Sequence, residues 1–398
     1  MLPVPGSIVL TMIVKNEAHV IERCLASVRD LVSSWVVVDT GSTDGTQDVV
    51  RRAMSGIPGE VFDRPWRGFG ASRTEAFQLA REQGLGEYAL VIDADDEFVY
   101  NGILRKGLLP RSLSHQLHDH RDVYSMEIHL GDLRYRRSQL FRLAKPWSYV
   151  GVVHELSHCP EPVTRGALEG VVYQCHRDGA RSQDPDKYRR DASLLEQAMI
   201  DESKNARYVF YAAQCWRDAG NDYRARALYE RRVKMGGSGE EVFIALLETA
   251  KAKQRLGDAP ESVIESYLIA SRARPTRAEP LYELARYCRL RKAFVEGWIY
   301  AEAAAKIPFP TGDTLFVPSS VYAWRALDEL AQAAYWTGRY EVSRATSEQI
   351  LGEALFPEDQ RERLIDNLAW AERALAKSTE DVTGPEDIDW SKAKEIRS

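Results

Sequence analysis

The chain has 398 residues, 44% of them hydrophobic, a length for two or three domains whose cores need neither disulfides nor structural metal. Its 53 Lys and Arg against 59 Asp and Glu give a net charge of −6, which excludes bulk attraction to nucleic acid or anionic membranes. The five cysteines (Cys24, Cys159, Cys175, Cys215, Cys288) form no CxxC pair, and the first apolar run is broken at Lys15, too short for a signal peptide or membrane span; a cytoplasmic protein without membrane insertion is expected.

From residue 8 to residue 100, apolar runs IVLTMIV, WVVVD, EVFDRPW and YALVIDA alternate with stretches of helical spacing, predicting four strands joined by three helices. In the first such stretch Val20, Ile21, Cys24, Leu25, Val28, Leu31 and Val32 make one apolar face to lie on a sheet. Continuously apolar strands imply cover on both faces, hence an α/β domain with a mostly parallel, doubly wound sheet that gathers its ligand at the strand C-termini. The shorter pieces VYSMEIHL, SQLFRL, SYVGVVHEL and GVVYQCH predict antiparallel or mixed strands completing that sheet.

After Asp178 the pattern turns helical, from Lys187 to Ala376, so the chain divides into an α/β domain (1–180), an all-α domain (181–376) and a polar tail (377–398). AQCWRDAG from Ala213, AKAKQRLG from Ala250, ARYCRLRK from Ala285 and AQAAYWTG from Ala331 form a weak internal repeat. Trp216, Ala219, Gly220, Tyr223 and Ala227 resemble the tetratricopeptide pattern, in which small and aromatic residues let antiparallel helices pack closely. The three prolines of PFPTGDTLFVPSS predict a loop that lengthens the last interval. The run Arg224, Arg226, Arg231, Arg232 and Lys234 reads as a solvated helix face.

The strand ends carry the polar residues. Thr11 and Glu17 flank the end of the first strand, and Asp39 ends the second, where a carboxylate accepts hydrogen bonds from a base or ribose, or caps a turn. GSTDGT reads as a turn and helix cap, Asp44 included. Arg73, just inside the third helix, suits a bidentate contact with phosphate. Asp93 and Asp95, two apart at the end of YALVI, would face one way in a strand and converge on a hard cation; Asp96 and Glu97 make the site more acidic, or are solvated loop. A zinc site from His158, Cys159, Cys175 and His176 is disfavoured, since adjacent strand residues face opposite ways.

Taken in order, TMIVKNE, VVVDTGSTDGT, FGASRTEA, IDADDE and GVVHEL resemble the inverting GT-A glycosyltransferases of family 2 type, over roughly the first 180 residues. The resemblance implies a nucleotide-diphosphate sugar donor, UDP-linked, bound by Thr11, Glu17, Asp39, Arg73 and Asp93. It implies a divalent cation, Mn²⁺ or Mg²⁺, on Asp93 and Asp95 with His176, and a catalytic carboxylate after the glycine-containing loop at Gly151. The HE pair, in place of the commoner Glu-Asp, leaves the base to Glu155 or His154, with Glu155 preferred. Helical repeats favour a macromolecular acceptor, protein or peptide before a modified DNA base. A scaffold with an inactive transferase domain is opposed by the intact DAD, Arg73 and HE, and a sugar nucleotidyltransferase by the lack of glycine after the first strand.

Overall fold

The computed structural model describes residues 7–100, 116–117 and 119–380. Strands β1 (Ile8–Val14), β2 (Ser34–Asp39), β3 (Gly59–Asp63) and β4 (Tyr88–Val91) are joined by helices α1 (Ile21–Val28), α2 (Thr46–Ala53) and α3 (Phe69–Glu82), as the periodicity predicts. β1 runs parallel between β2 and β4, and β3 lies parallel outside β2. Ile21, Cys24, Leu25 and Val28 pack on one face with Leu10, Met12 and Val37, while Ala76, Phe77 and Ala80 of α3 cover Val9, Val36 and Val38 on the other. This two-sided burial is why these strands are apolar throughout.

Strands β5 (Asp96–Tyr100), β6 (Val123–Leu130), β7 (Leu133–Arg142) and β10 (Arg165–Cys175) extend the sheet in the order β3-β2-β1-β4-β7-β6-β10-β5. β7 is antiparallel to β4 and β6, and β10 is parallel to β6 but antiparallel to β5, giving the expected mixed sheet. Three local expectations are corrected. β4 stops at Val91, so Asp93 and Asp95 stand beside and in a turn rather than at alternate strand positions. Asp96 begins β5 and is buried, because β10 pairs there and removes it from solvent. SYVGVVHEL is not one strand: β8 (Ser148–Val150) and β9 (Leu156–His158) form a short hairpin around residues 151–155, with Gly151 at φ +112.

Helices α4 (Lys187–Asp201), α5 (Ala206–Asp218), α6 (Asp222–Met235), α7 (Gly239–Leu256), α8 (Pro260–Ala273), α9 (Glu279–Leu290), α10 (Phe294–Ala305), α11 (Ala326–Trp336), α12 (Tyr340–Glu353) and α13 (Arg361–Glu380) follow. Two compact units result, Met1–Ala252 with Gly312–Val317, and Lys253–Thr311 with Pro318–Ser398. Compactness thus keeps α4, α5 and α6 with the sheet, although the change from strand to helix falls near residue 180.

Each repeat copy ends a helix in the same way. Gly220, Gly257, Lys292 and Gly338 adopt φ of 75°, 74°, 63° and 75°. The next N–H then returns to the last turn: Asn221 to Trp216 O, Asp258 to Lys253 O, Ala293 to Cys288 O and Arg339 to Ala334 O. This closure satisfies carbonyls that a helix end leaves without partners. Tyr223 and Ala227 are exposed, however, and Ala225 and Tyr229 make the buried face of α6 instead. Arg232 is likewise no solvated residue: it is 1% exposed and pairs with Glu241.

Candidate functional site

The site forms at the C-terminal ends of the parallel strands, where two loops are locked together. Asn16 N donates to Ser42 Oγ at 2.8 Å, Glu17 N to Thr46 Oγ1 at 2.8 Å and Ala18 N to Asp44 Oδ2 at 3.0 Å, while Asn16 Oδ1 accepts from Thr43 N at 2.8 Å. Asp44 also accepts from Thr46 N at 3.0 Å, the structural task expected of it. Asp39 Oδ1 accepts from Gly41 N and Ser42 N at 2.8 and 2.7 Å, which is turn capping. Its other oxygen, Oδ2, is buried with no partner among the described residues, an arrangement that costs free energy until a donor is supplied.

Helix α3 presents Gly70, Arg73, Thr74 and Phe77 on one face, three and four residues apart, and that face grips the β8–β9 hairpin. A Cβ on Gly70 would lie 3.0 Å from Tyr149 O and 3.2 Å from Gly151 O, so only glycine lets the two backbones meet. Tyr149 N donates to Thr74 Oγ1 at 2.8 Å, and the Tyr149 ring stacks on Phe77 at 5.4 Å.

The grip places Arg73 between two carboxylates. Its Nη2 donates to Asp93 Oδ1 at 2.5 Å and its Nε to Glu155 Oε1 at 2.6 Å. Arg73 is 14% exposed and Glu155 11%, so this is a largely desolvated bridge joining α3, the turn after β4 and the hairpin loop. Burial alone would raise the Asp93 carboxyl, but Arg73 and Arg137 outweigh it and hold it at about 2. Cys24 Sγ donates to Asp93 O at 3.3 Å and fixes the turn from below.

Asp95 turns to a different set of partners. Its Oδ2 accepts from Gly179 N at 3.3 Å, and the next amide, Ala180 N, donates to Glu17 Oε2 at 3.1 Å. A Cβ on Gly179 would be 3.0 Å from both Asp95 Oδ2 and Glu17 Oε2, so these carboxylates flank one point. Desolvation and mutual repulsion push Glu17 up to about 7, and desolvation and Asp93 raise Asp95. Arg23 pins the segment, donating to Asp178 Oδ1 and Oδ2 at 2.8 Å each and to Asp95 O at 3.1 Å.

The remaining expected residues lie apart from this core of contacts. Thr11 is buried in mid-strand, not at the strand end, with its hydroxyl given to Leu90 O at 3.3 Å. His176 Nε2 lies 3.2 Å from Glu97 Oε2. Among the described residues no three His, Cys, Asp or Glu side chains gather as a metal-holding group, so neither Asp93, Asp95 and His176 nor the four zinc candidates are brought together as one. His154 stacks on Tyr211 with ring centroids 4.2 Å apart. Desolvation and the cations Arg207, Arg181 and Lys187 push its pKa well below the usual imidazole range, although one edge of the residue stays exposed.

Sequence reasoning missed Arg137, on β7, whose Nη2 lies 3.7 Å from Asp93 Oδ2 and 3.5 Å from Asp96 Oδ2. It also missed Arg181, which sits over the Phe69 ring at 4.2 Å and pairs with Asp191. The clustered arginines of the strand segment RYRRSQLFR were the available signal for the first. For the second there was none, because an arginine in a short polar turn is ordinary.

Residues 9–106 match the glycosyl transferase family 2 profile. The N-terminal part of the chain is a glycosyl transferase family 2 domain. A TPR repeat-containing protein of Synechococcus elongatus is 34% identical over 152 residues, 37% of this chain and 34% of its own length. The SPbeta prophage-derived glycosyltransferase SunS of Bacillus subtilis is 25% identical over 208 residues, 50% of this chain and 47% of its own length. The chain therefore spans about a third to a half of these relatives. Among solved structures, S. aureus TarS 1-349 in complex with UDP-GlcNAc covers 64% of this chain and 93% of its own, at 14% identity and a TM-score of 0.34, too loose a likeness to carry an argument. No helix among the described residues is long and apolar enough to cross a membrane.

Proposed function

We propose that the protein is an inverting glycosyltransferase that moves a sugar from a nucleotide-diphosphate donor, UDP-linked, to a macromolecular acceptor, protein or peptide. The observation that carries this reading is the Arg73 bridge: residues from three separate elements, each singled out for this chemistry, meet in one desolvated cluster. The family 2 domain and a glycosyltransferase relative support it.

The base and ribose belong beside Asp39, whose Oδ2 lacks a donor that a base N–H or ribose hydroxyl supplies, with Glu17 and the Thr11 strand at the same crevice. Arg73 and Arg137 face the diphosphate; Arg137 Nε is itself buried with no partner among the described residues. Glu155 is the general base, taking the acceptor proton as the acceptor oxygen attacks the anomeric carbon opposite the leaving diphosphate. One displacement inverts that carbon, and Arg73, shared by Glu155 and Asp93, keeps both sides of the reaction in register. Asp95 and Glu17 offer hard oxygen donors around one point, with repulsion on Glu17 for a cation to relieve, so this pair suits Mn²⁺ or Mg²⁺ whose remaining ligands would be diphosphate oxygens and water, while Asp93 is engaged by Arg73 and Arg137. When bound, the cation supplies charge for the departing diphosphate. His176, expected as a further ligand, lies beside Glu97.

Screening nucleotide sugars for hydrolysis with Mn²⁺, then for transfer by mass spectrometry onto peptides and hydroxymethylated DNA, tests the reading. Glu155→Gln should bind UDP as the wild type does and lose turnover, and Asp95→Asn or a chelator should abolish transfer. A wild type that neither binds UDP nor turns over any donor sinks the enzymatic reading, and full activity in chelator sinks the metal.

A further inference from the structure

Helix α5 packs one face onto the hairpin loop, with three of its side chains on His154. Arg207, Tyr211 and Cys215 are four apart and so share that face. Arg207 Nε and Nη2 donate to His154 O at 3.2 and 3.1 Å, the Tyr211 ring stacks on the imidazole at 12° to it, and Cys215 Sγ lies 4.0 Å from His154 Nε2. Asn205 caps the helix by accepting from Arg207 N and Tyr208 N, which fixes the first turn that carries Arg207. The guanidinium also lies over Tyr211 at 4.5 Å, leaving Arg207, Tyr211 and His154 as one interlocked stack.

His154 needs such a grip. Its φ is +53°, a left-handed conformation uncommon for residues with a Cβ, although histidine adopts it more readily than most, so the contacts that hold it there matter. It directly precedes Glu155, so the direction in which the Glu155 side chain leaves the backbone depends on the dihedrals of this residue. Were residue 154 to relax to negative φ, the carboxylate would swing from Arg73.

We propose that Arg207 is a positioning residue: with Tyr211 it clamps His154 in the left-handed conformation that aims Glu155 at Arg73. The helical region thereby takes part in catalysis through its second helix, whatever the acceptor. The inference rests on the reading of Glu155 as base. The imidazole, whose pKa desolvation and the nearby Arg207 lower, serves the clamp as its stacking surface.

Two measurements on the full chain test it, using Arg207→Gln, Arg207→Lys and Tyr211→Leu. In hydrogen exchange read by mass spectrometry, residues 151–156 should exchange at least several-fold faster in Arg207→Gln, while the melting temperature and UDP affinity stay near wild type. In turnover of whichever nucleotide sugar the wild type accepts, kcat should fall 10- to 100-fold with donor KM unchanged, and Arg207→Lys should recover part of the loss. Unchanged exchange in the loop, or faster exchange with unchanged kcat, overturns the proposal. Tyr211→Leu should repeat the pattern if Arg207→Gln folds poorly. A wild type inactive toward every donor would defeat the reading beneath, a result distinct from an active enzyme indifferent to Arg207.

Discussion

Arg73 acts on two neighbours at once, and that makes its loss costlier than that of a surface arginine. Removing it leaves Asp93 and Glu155 in a low-dielectric cluster without their shared cation, and breaking such a bridge is worth several times an exposed pair. Arg73→Gln is expected to lower kcat/KM roughly 100-fold, about 2.7 kcal/mol of transition-state stabilisation, in steady-state kinetics. Arg73→Lys should recover little, because an ammonium does not reproduce a planar fork that meets two carboxylates. His154 makes a prediction in pH. Its pKa is lowered in the folded chain, so the unfolded chain binds a proton that the folded one rejects; the contribution to stability is full above about pH 6.5 and is lost as pH falls toward the folded value. Melting temperatures from pH 7 to pH 4.5 should therefore fall less steeply for His154→Gln than for the wild type.

At the scale of elements, the contact between α3 and the hairpin is made by absence of a side chain. Gly70→Ala would set a Cβ 3.0 Å from a backbone oxygen that has no rotamer to escape through, so the helix must shift. A loss of about 1 to 3 kcal/mol in urea unfolding is expected, with a fall in turnover as Arg73 moves with the helix. The repeat was readable in part for the same kind of reason. Gly220, Gly257 and Gly338 mark helix ends because left-handed φ favours glycine, and Lys292 shows that the end persists without it. The inward face of α6 was misplaced by the motif: Tyr223 fits the tetratricopeptide pattern yet is 74% exposed, since the helix turns Ala225 and Tyr229 inward.

Across the whole molecule, the chain comes back to its first unit after leaving it. Residues Gly312–Val317 belong with the sheet, where Arg136 N donates to Thr314 O at 3.1 Å and Glu240 accepts from Thr314 N and Leu315 N at 2.8 and 2.6 Å. Glu240→Gln should weaken this return by about 1 kcal/mol, seen as faster hydrogen exchange at the Arg136 amide with the β1 amides unchanged. Prolines at 308, 310 and 318 announce a loop in the sequence, but nothing in them says where the loop goes.

The sequence by itself determined the α/β core, the helical repeat and the residue types of the site, because apolar period, turn chemistry and ordered motifs act within a few residues of one another. Only the tertiary structure decided what those residues do to each other. Asp93 and Asp95 look paired at a spacing of two, yet a turn sends one to Arg73 and the other toward Gly179 and Glu17. Arg137, Arg181 and Arg207 enter the site from a strand, a 3-10 turn and a helix far along the chain, and electrostatic coupling depends on distance through space, which residue spacing does not encode.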